Sequence, residues 1–301
     1  MDVNLKPGKY VVAVSGGLDS VALLDMLHKS RLQARNEPIK IVVAHFDHGI
    51  RQDSHQDRQH VQTLARQYGL PFVYNEGQLG AGASEATARK ARYNFLHNVR
   101  SASNARAIVT AHHQDDALET AVLNIIRGTG RKGLTALSSR SGIERPLLSA
   151  SKHDLIKYAQ SNGLVWREDS TNTDQNYLRN YVRHTILPRL DDKAKAQLRG
   201  IIVRQRAINH QLDTLLVNLL HSQSASRKID RRWFNGLSHD CSREVMAAWL
   251  RAHGVREFDR RTLERLVVAA KVGKANKDYS LLDNRLMQIE ADHLALTLLE
   301  R

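Results

Sequence analysis

Short apolar runs alternate with stretches of helical apolar spacing along the N-terminal part of the chain. Four strands and four helices are predicted, the strands at residues 10–14, 40–46, 70–74 and 107–111, and the helices at residues 21–27, 57–68, 84–99 and 115–127. Continuous apolar strands are typical of a sheet that is covered on both faces, and alternation with helices favours parallel strands. We therefore expect an α/β fold with a doubly wound parallel sheet.

The pattern changes after Leu190. Charged helical stretches and a final hairpin-like pair of strands are predicted, the helices at residues 193–220, 243–253 and 260–271 and the strands at 279–290 and 293–299. Pro188 and the acidic pair Asp191 and Asp192 interrupt the earlier alternation. We predict two domains, an α/β domain of residues 1–191 and a smaller, mainly helical domain of residues 192–301.

The chain of 301 residues carries 45 basic and 31 acidic residues, which gives a net charge of +14. This excess favours a polyanionic partner such as nucleic acid. The sequence has no apolar run long enough to span a membrane, so we expect no membrane partner. The first ten residues lack the apolar stretch of a signal peptide, and a cytoplasmic location is predicted. The single cysteine, Cys241, cannot supply the thiol pair of many sulfur-transfer sites.

A glycine-containing loop follows the first predicted strand, with the sequence Ser15-Gly16-Gly17-Leu18-Asp19-Ser20. Ligands of open α/β sheets bind at the carboxyl ends of the strands, and a helix N-terminus there favours phosphate. Asp19 would repel phosphate, so a magnesium ion or an ammonium group is the expected partner of its carboxylate. The alternative is a simple helix-capping turn, since Ser, Asp and Gly are common at helix starts.

Two carboxylates follow the fourth predicted strand. Asp116 and Glu119 are three residues apart, so they share one helix face and could hold an ammonium group or a metal. Acidic capping of the helix is the alternative. His112 and His113 precede them, and adjacent side chains at a strand end point apart, so one is expected to contact a nucleotide or phosphate.

Two groups of arginines could contact phosphate. Arg89 and Arg92 lie on one face of a predicted helix, where a solvated basic face is the alternative. Arg179 and Arg183 are four residues apart and follow the string EDSTN, a spacing that suits a phosphate backbone. An ordinary charged helix would have the same spacing.

Together these segments resemble the tRNA(Ile)-lysidine synthetases, which are PP-loop ATP pyrophosphatases with an adenine nucleotide alpha-hydrolase-like fold. The likeness covers most of residues 10–190 and is closest to a shorter form of the family. The matching strings, in order, are SGGLDS, AHFDHGIR, SEATARKARYNFL, TAHHQDDALET, RGTGRKGL, RPLL and EDSTN…RN…RHTILP. Each string is weak alone, but their order and spacing are specific.

The resemblance implies a two-step reaction. ATP adenylates O2 of the cytidine at the first anticodon position of tRNA(Ile), and the amine of free L-lysine then displaces AMP at C2 to give lysidine, AMP and pyrophosphate. ATP and Mg²⁺ are the implied cofactors, and a homodimer is compatible with the family. The helical domain is expected to bind tRNA.

The resemblance also implies roles for individual residues. Residues 15–20 would bind the triphosphate, Asp19 is a candidate Mg²⁺ ligand, and His112 and Arg127 would contact ATP phosphates. Lysine would lie near Asp19, Arg92, Asp116 and Glu119, where one carboxylate could remove a proton from the amine. Candidate tRNA contacts are Arg179, Asn180, Arg183 and Lys132, the last of which could contact ATP instead.

Two other classes of function compete with this interpretation. Other PP-loop enzymes include tRNA thiolases, which often need paired cysteines, and GMP or NAD synthetases, which lack the strings around Arg92 and Arg179. The second class is a non-catalytic nucleotide-binding or tRNA-binding module on the same scaffold. The presence of Asp19, Asp116 and Glu119 favours catalysis.

Overall fold

The computed structural model describes residues 3–33, 39–49, 54–77, 80, 84–138, 142–167, 178–223, 228–255, 258–281 and 285–298. Contacts within the chain divide it into two compact units, Met1–Val203 and Arg204–Arg301. Within the described ranges, no helix is both long enough and apolar enough to cross a membrane.

The first unit contains a five-stranded parallel sheet. Its strands are β1 (Gly8–Ala13), β2 (Ile39–Asp47), β3 (Phe72–Glu76), β4 (Ala107–Val109) and β5 (Ile143–Glu144). Their spatial order is β3-β2-β1-β4-β5, and every neighbouring pair is parallel. The strand order reverses between β1 and β4, which makes this edge the expected ligand position. The predicted doubly wound sheet is confirmed, whereas β5 was not predicted because two residues are too short to form a pattern.

Helices pack on both faces of this sheet. The helices of the first unit, before α8, are α1 (Leu18–Gln33), α2 (Ser54–Gln67), α3 (Glu85–Ala102), α4 (Gln114–Ile126), α5 (Arg131–Leu134), α6 (Lys152–Ser161) and α7 (Leu178–Tyr181). A π-helical turn, Val182–Ile186, and a 3-10 turn, Leu187–Arg189, follow α7.

Alternate residues of β1 belong to two different apolar clusters. Tyr10 and Val12 pack in the cluster that contains Leu23 and Leu24 of α1, whereas Val11 packs in the cluster that contains Leu96 of α3. Full burial of an aliphatic side chain contributes about 1.5–3 kcal/mol. A strand with two buried faces therefore needs apolar residues at every position, which explains its continuous apolar run.

The second unit contains helices and an antiparallel sheet. Its elements are the end of α8 (Asp192–Gln223), β6 (Lys228–Asp230), α9 (Arg231–Gly236), α10 (His239–Ala252), α11 (Arg260–Val272), β7 (Lys277–Leu281), β8 (Arg285–Ile289) and β9 (His293–Leu298). The strand order is β6-β9-β8-β7, around a core that includes Trp249, Phe234 and Met287. The predicted strand at 279–290 covers parts of β7 and β8, since periodicity alone does not show where a strand reverses.

The division between the units falls inside α8. Leu198 and Ile202 pack with Leu118 of α4, whereas Leu216 and Leu220 belong to the core of the second unit. The first turns of α8 are therefore part of the α/β unit. The assignment of residues 192–301 as a separate tRNA-binding domain stays a prediction.

Candidate active site

The glycine loop (residues 15–20) connects β1 to α1 at the carboxyl edge of the sheet. The Ser20 hydroxyl accepts hydrogen bonds from the backbone N–H groups of Ser15, at 3.1 Å, and Gly16, at 3.3 Å, and donates to the Gly17 carbonyl at 2.9 Å. Gly16 has φ of +97°, a conformation that disfavours any residue with a side chain. Ser20 and Gly16 thus set the shape of the loop, and the first turn of α1 provides the N–H groups for an anion.

A second segment anchors the same loop. The backbone N–H of Arg167 donates to the Gly16 carbonyl at 3.0 Å, and the Arg167 guanidinium forms an ion pair with Asp57 of α2 at 2.5 Å. A Cβ atom on Gly17 would lie 3.8 Å from the Arg167 carbonyl oxygen. The loop is thus anchored to Arg167, which is itself paired with α2.

Asp19 lies in the first turn of α1 between two cationic or proton-donating groups. The Lys152 ammonium, at the start of α6, is 2.6 Å from Oδ1, and Nε2 of His113 is 3.6 Å from Oδ2. Burial alone raises the pKa of Asp19, but the nearby His113 ring and the charge of Lys152 outweigh burial and lower the pKa. Asp19 is therefore an ionised carboxylate at neutral pH.

His113 caps the N-terminus of α4. Its Nδ1 accepts from the backbone N–H of Asp115 at 3.2 Å, and the Asp116 carboxylate accepts from the His113 N–H at 2.9 Å. The proton of the neutral ring is then on Nε2, which lies 3.5 Å from Oδ2 of Asp116. Burial lowers the pKa of His113, but Asp19 and Asp116 outweigh this effect and raise it. His113 thus joins the carboxylates of α1 and α4.

Asp116 and Glu119 share one face of α4, as predicted, and two arginines bind them. Arg183 Nε donates to Oε2 of Glu119 at 2.7 Å and Arg183 Nη2 to Oδ1 of Asp116 at 3.4 Å, while Arg179 pairs with Oε1 of Glu119 at 2.6 Å. Glu119 is buried, and this burial raises its pKa against the opposing charge of Arg183. We call Asp19, Asp116 and Glu119 the acidic side of the site.

His112 contacts a different group of residues from His113. Its Nδ1 is 2.8 Å from the Thr110 hydroxyl, and burial together with the charges of Arg145, Arg89 and Arg92 lowers its pKa to about 3. His112 is consequently neutral, and the two adjacent histidines have different hydrogen-bond partners.

Three arginines surround Tyr93 near His112. The guanidiniums of Arg89 and Arg92 lie 4.9 and 5.7 Å from the centre of the Tyr93 ring, and Nη2 of Arg145 is 3.4 Å from its hydroxyl. Their charges outweigh the effect of burial and lower the pKa of Tyr93. We call Arg89, Arg92 and Arg145 the basic side of the site. Such a cluster is suited to a carboxylate or a phosphate.

Several predicted residues lie elsewhere or take other partners. Arg127 is the C-cap residue of α4, about 20 Å along the helix axis from His113, and its contact with ATP phosphates stays a prediction. Lys132 lies in α5 beyond that end. Arg179 and Arg183 face the acidic side, and Asn180 lies between them in α7. The string EDSTN (residues 168–172) and residues 50 and 51 of AHFDHGIR fall outside the described residues.

Three residues near the site had no predicted role. Lys152 is a single lysine at a helix start, and Arg145 and Tyr93 lie within the strings RPLL and SEATARKARYNFL, where no periodic pattern distinguishes them. Only the folding of β5 and α6 against the sheet edge brings Arg145 and Lys152 to the site.

Residues 2–190 match the family model of the PP-loop domain. The chain therefore belongs to the family of ATP-binding PP-loop domains. A U34-tRNA thiolase, NcsA of Methanococcus maripaludis, shares the fold, with a TM-score of 0.56 and 15% identity over 68% of this chain and 73% of that one.

Within this family the chain is similar to tRNA(Ile)-lysidine synthases. It is 40% identical to that of Thermus thermophilus over 64% of this chain and 37% of the relative, and 34% identical to that of Methylococcus capsulatus over 87% and 62%. The relative from Geobacter sulfurreducens is 39% identical over 62% and 41%. The resemblance found in the motifs is confirmed, and the chain spans between 37% and 62% of the length of these three relatives.

Proposed function

We propose that this protein is a tRNA(Ile)-lysidine synthetase that joins free L-lysine to C2 of the first anticodon cytidine through an O2-adenylate. The observation that carries the proposal is the meeting of three features at one sheet edge: the glycine loop, the acidic side and the basic side. The similarity to tRNA(Ile)-lysidine synthases, over 64% and 87% of this chain in two relatives, supports the choice of substrates.

In the first step the glycine loop binds the triphosphate. Cytosine O2 attacks the α-phosphorus, the bond from that atom to the bridging oxygen breaks, and pyrophosphate leaves with the electron pair. Backbone N–H groups and the N-terminus of α1 stabilise the developing charge. The step converts O2 into part of an AMP leaving group.

In the second step the acidic side receives the ammonium group of lysine. Only a neutral amine can attack C2, so a carboxylate must remove a proton. Glu119 is our candidate for this base because burial raises its pKa toward that of a general base. In the structure, Arg179 and Arg183 form ion pairs with the carboxylates of the acidic side. We propose that both arginines release these carboxylates when the substrate binds and then contact the tRNA backbone.

The basic side complements the acidic side. The lysine carboxylate or the AMP phosphate is expected near Arg92, where the described residues provide no carboxylate partner. A substrate with an ammonium at one end and a carboxylate at the other would then bind both sides at once.

Mg²⁺ fits the site only as an ion shared with ATP. In the described ranges no group of three His, Cys, Asp or Glu residues is arranged to hold a metal. Mg²⁺ commonly binds through one or two carboxylates together with substrate phosphates and water, and the ionised Asp19 could be such a ligand. The ion would neutralise phosphate charge.

The net charge of +14 supports an RNA substrate, with Lys132, Asn180 and the second unit as further candidate contacts. A cytoplasmic location and a homodimer agree with this function.

A tRNA thiolase is the main rival. That class shares the fold, but the only cysteine of this chain, Cys241, is exposed and lies in the second unit. We therefore favour ligation of an amine over sulfur transfer.

The protein, ATP, L-lysine and bulk tRNA should be incubated together, and the digested RNA analysed by mass spectrometry. We expect a cytidine to gain the mass of lysine less one water, with one AMP and one pyrophosphate released per modified nucleoside. A tRNA(Ile) transcript with uridine at the first anticodon position is the matched control and should remain unchanged. Modification of another nucleoside, or of none, would refute the proposal.

A further inference from the structure

Lys152 occupies an unusual place beside the glycine loop. It is the first residue of α6, whose N-cap, Ser151, accepts a hydrogen bond from the backbone N–H of Asp154. A cation at a helix N-terminus opposes the helix dipole, so this position by itself disfavours lysine. The ammonium group instead turns to Asp19, 2.6 Å away at the N-terminus of α1. Two helix N-termini and a lysine therefore converge on one side of the loop.

The ion pair between Lys152 and Asp19 can be exchanged. The side chains of Lys152 and Asp19 remain 42% and 30% exposed, and an ion pair in such a setting contributes little to stability. A triphosphate brings several negative charges to the same loop, and lysine is a common phosphate ligand. Its flexible side chain can move to the phosphates without a change in the backbone.

We propose that Lys152 is a phosphate-binding catalytic residue, which leaves Asp19 when ATP binds, contacts the β- and γ-phosphates, and stabilises pyrophosphate as it departs. The role in departure rests on the proposed function. Lys152 supplies charge and hydrogen bonds and transfers no proton: the α-phosphorus gains the acceptor oxygen, and pyrophosphate leaves with the electrons of the broken bond. The same movement frees Asp19 for an ammonium group or for Mg²⁺.

A purely structural role makes a different prediction. If Lys152 only holds Asp19 and the loop in place, its removal should weaken the binding of every adenine nucleotide equally. If Lys152 contacts the β- and γ-phosphates, its removal should weaken only ligands that contain them. AMP, ATP and inorganic pyrophosphate separate these two cases.

Calorimetry should measure the affinity for these three ligands in the wild-type chain, Lys152→Ala and Lys152→Arg. In Lys152→Ala we expect ATP and pyrophosphate to bind about 10- to 100-fold more weakly, because a hydrogen bond to a charged group is lost. The affinity for AMP should change by less than about 2-fold. Lys152→Arg should recover most of the affinity. Lys157→Ala is the control, because Lys157 is exposed on the same helix and outside the loop.

Equal weakening of AMP and ATP in a folded Lys152→Ala protein, or unchanged ATP and pyrophosphate affinity, would overturn the assignment. A thermal unfolding curve for each variant separates loss of a contact from loss of the fold, and Lys152→Gln provides a second neutral variant that keeps a polar side chain. The pyrophosphate measurement needs neither tRNA nor lysine. If pyrophosphate binding depends on Lys152 but no lysidine forms, the phosphate site is supported and the proposed function fails.

Discussion

The acidic and basic sides of the site differ in how the described residues satisfy their charges. On the acidic side, Arg183 and Arg179 pair with Glu119, and Lys152 pairs with Asp19. On the basic side, the guanidiniums of Arg89 and Arg92 lie over the Tyr93 ring, and among the side chains that the structure describes no carboxylate forms an ion pair with either of them. The carboxylates of the acidic side are thus paired with cations, whereas the described contacts of Arg89 and Arg92 are with an aromatic ring.

The adjacent residues His112 and His113 show how closely the two sides meet. The chain leaves β4 in an extended conformation, so His113 turns toward Asp19 and His112 toward the arginines. The carboxylates raise the pKa of His113, whereas burial and the arginines lower the pKa of His112. The pKa values of these two neighbouring histidines are therefore shifted in opposite directions. A ligand with separated positive and negative groups could bind beside both of them.

The largest effect is expected on the acidic side. Glu119→Gln removes the candidate base and the carboxylate that Arg179 and Arg183 share. We expect lysine transfer to fall about 100-fold or more, while tRNA-dependent exchange of pyrophosphate into ATP falls much less, because the first step does not need the base. Single-turnover assays of both steps measure the difference.

Asp115→Asn is the matched control for Glu119→Gln. Asp115 lies in the first turn of the same helix with its side chain 45% exposed, and its replacement should change neither step by more than about 2-fold. Full rates of both adenylation and lysine transfer in Glu119→Gln would remove Glu119 from the mechanism.

A smaller effect is expected on the basic side. Arg92→Gln should lower kcat/KM for lysine about 10- to 100-fold, because a charge-assisted hydrogen bond to an anion is lost. Lysinamide, which lacks the carboxylate, tests whether that anion is the lysine carboxylate: the preference for lysine over lysinamide should then shrink in the variant. Lys90→Gln, at an exposed position of the same helix, is the control. Unchanged kinetics for both ATP and lysine would show that the basic side binds neither.

The smallest effect concerns stability. In the folded state the pKa of His112 is lowered to about 3, so as pH falls below about 6.5 the unfolded chain takes up a proton that the folded chain cannot. His112 therefore destabilises the fold increasingly from pH 6.5 down toward pH 3. His112→Asn should abolish this decrease in the free energy of unfolding, which is on the order of 2 kcal/mol at pH 4.5.

Urea unfolding at pH 7.5 and pH 4.5 measures that change. The difference in the free energy of unfolding between pH 7.5 and pH 4.5 should be smaller in His112→Asn than in the wild-type chain. His153→Asn, at an exposed position of α6, should keep the wild-type difference. An identical pH dependence in all three proteins would show that burial and the arginines do not hold His112 neutral.

The sequence by itself determined the parallel sheet and the position of the glycine loop. Successive residues such as Val11 and Val12 are apolar because each face of β1 packs against helices. The continuous apolar run in the sequence therefore indicates a strand that is covered on both faces. The pair Asp116 and Glu119 was also predictable, since residues three apart on a helix share a face.

Only the tertiary structure decided which groups meet across the sheet edge. Lys152 is 133 residues from Asp19 along the chain, and Arg183 is 64 residues from Glu119, yet both pairs lie within 2.7 Å. The same packing leaves Arg127 at the far end of α4. Local periodicity reports the face of a helix on which a residue lies, whereas the partner of a charged side chain depends on packing between distant segments, which no local pattern contains.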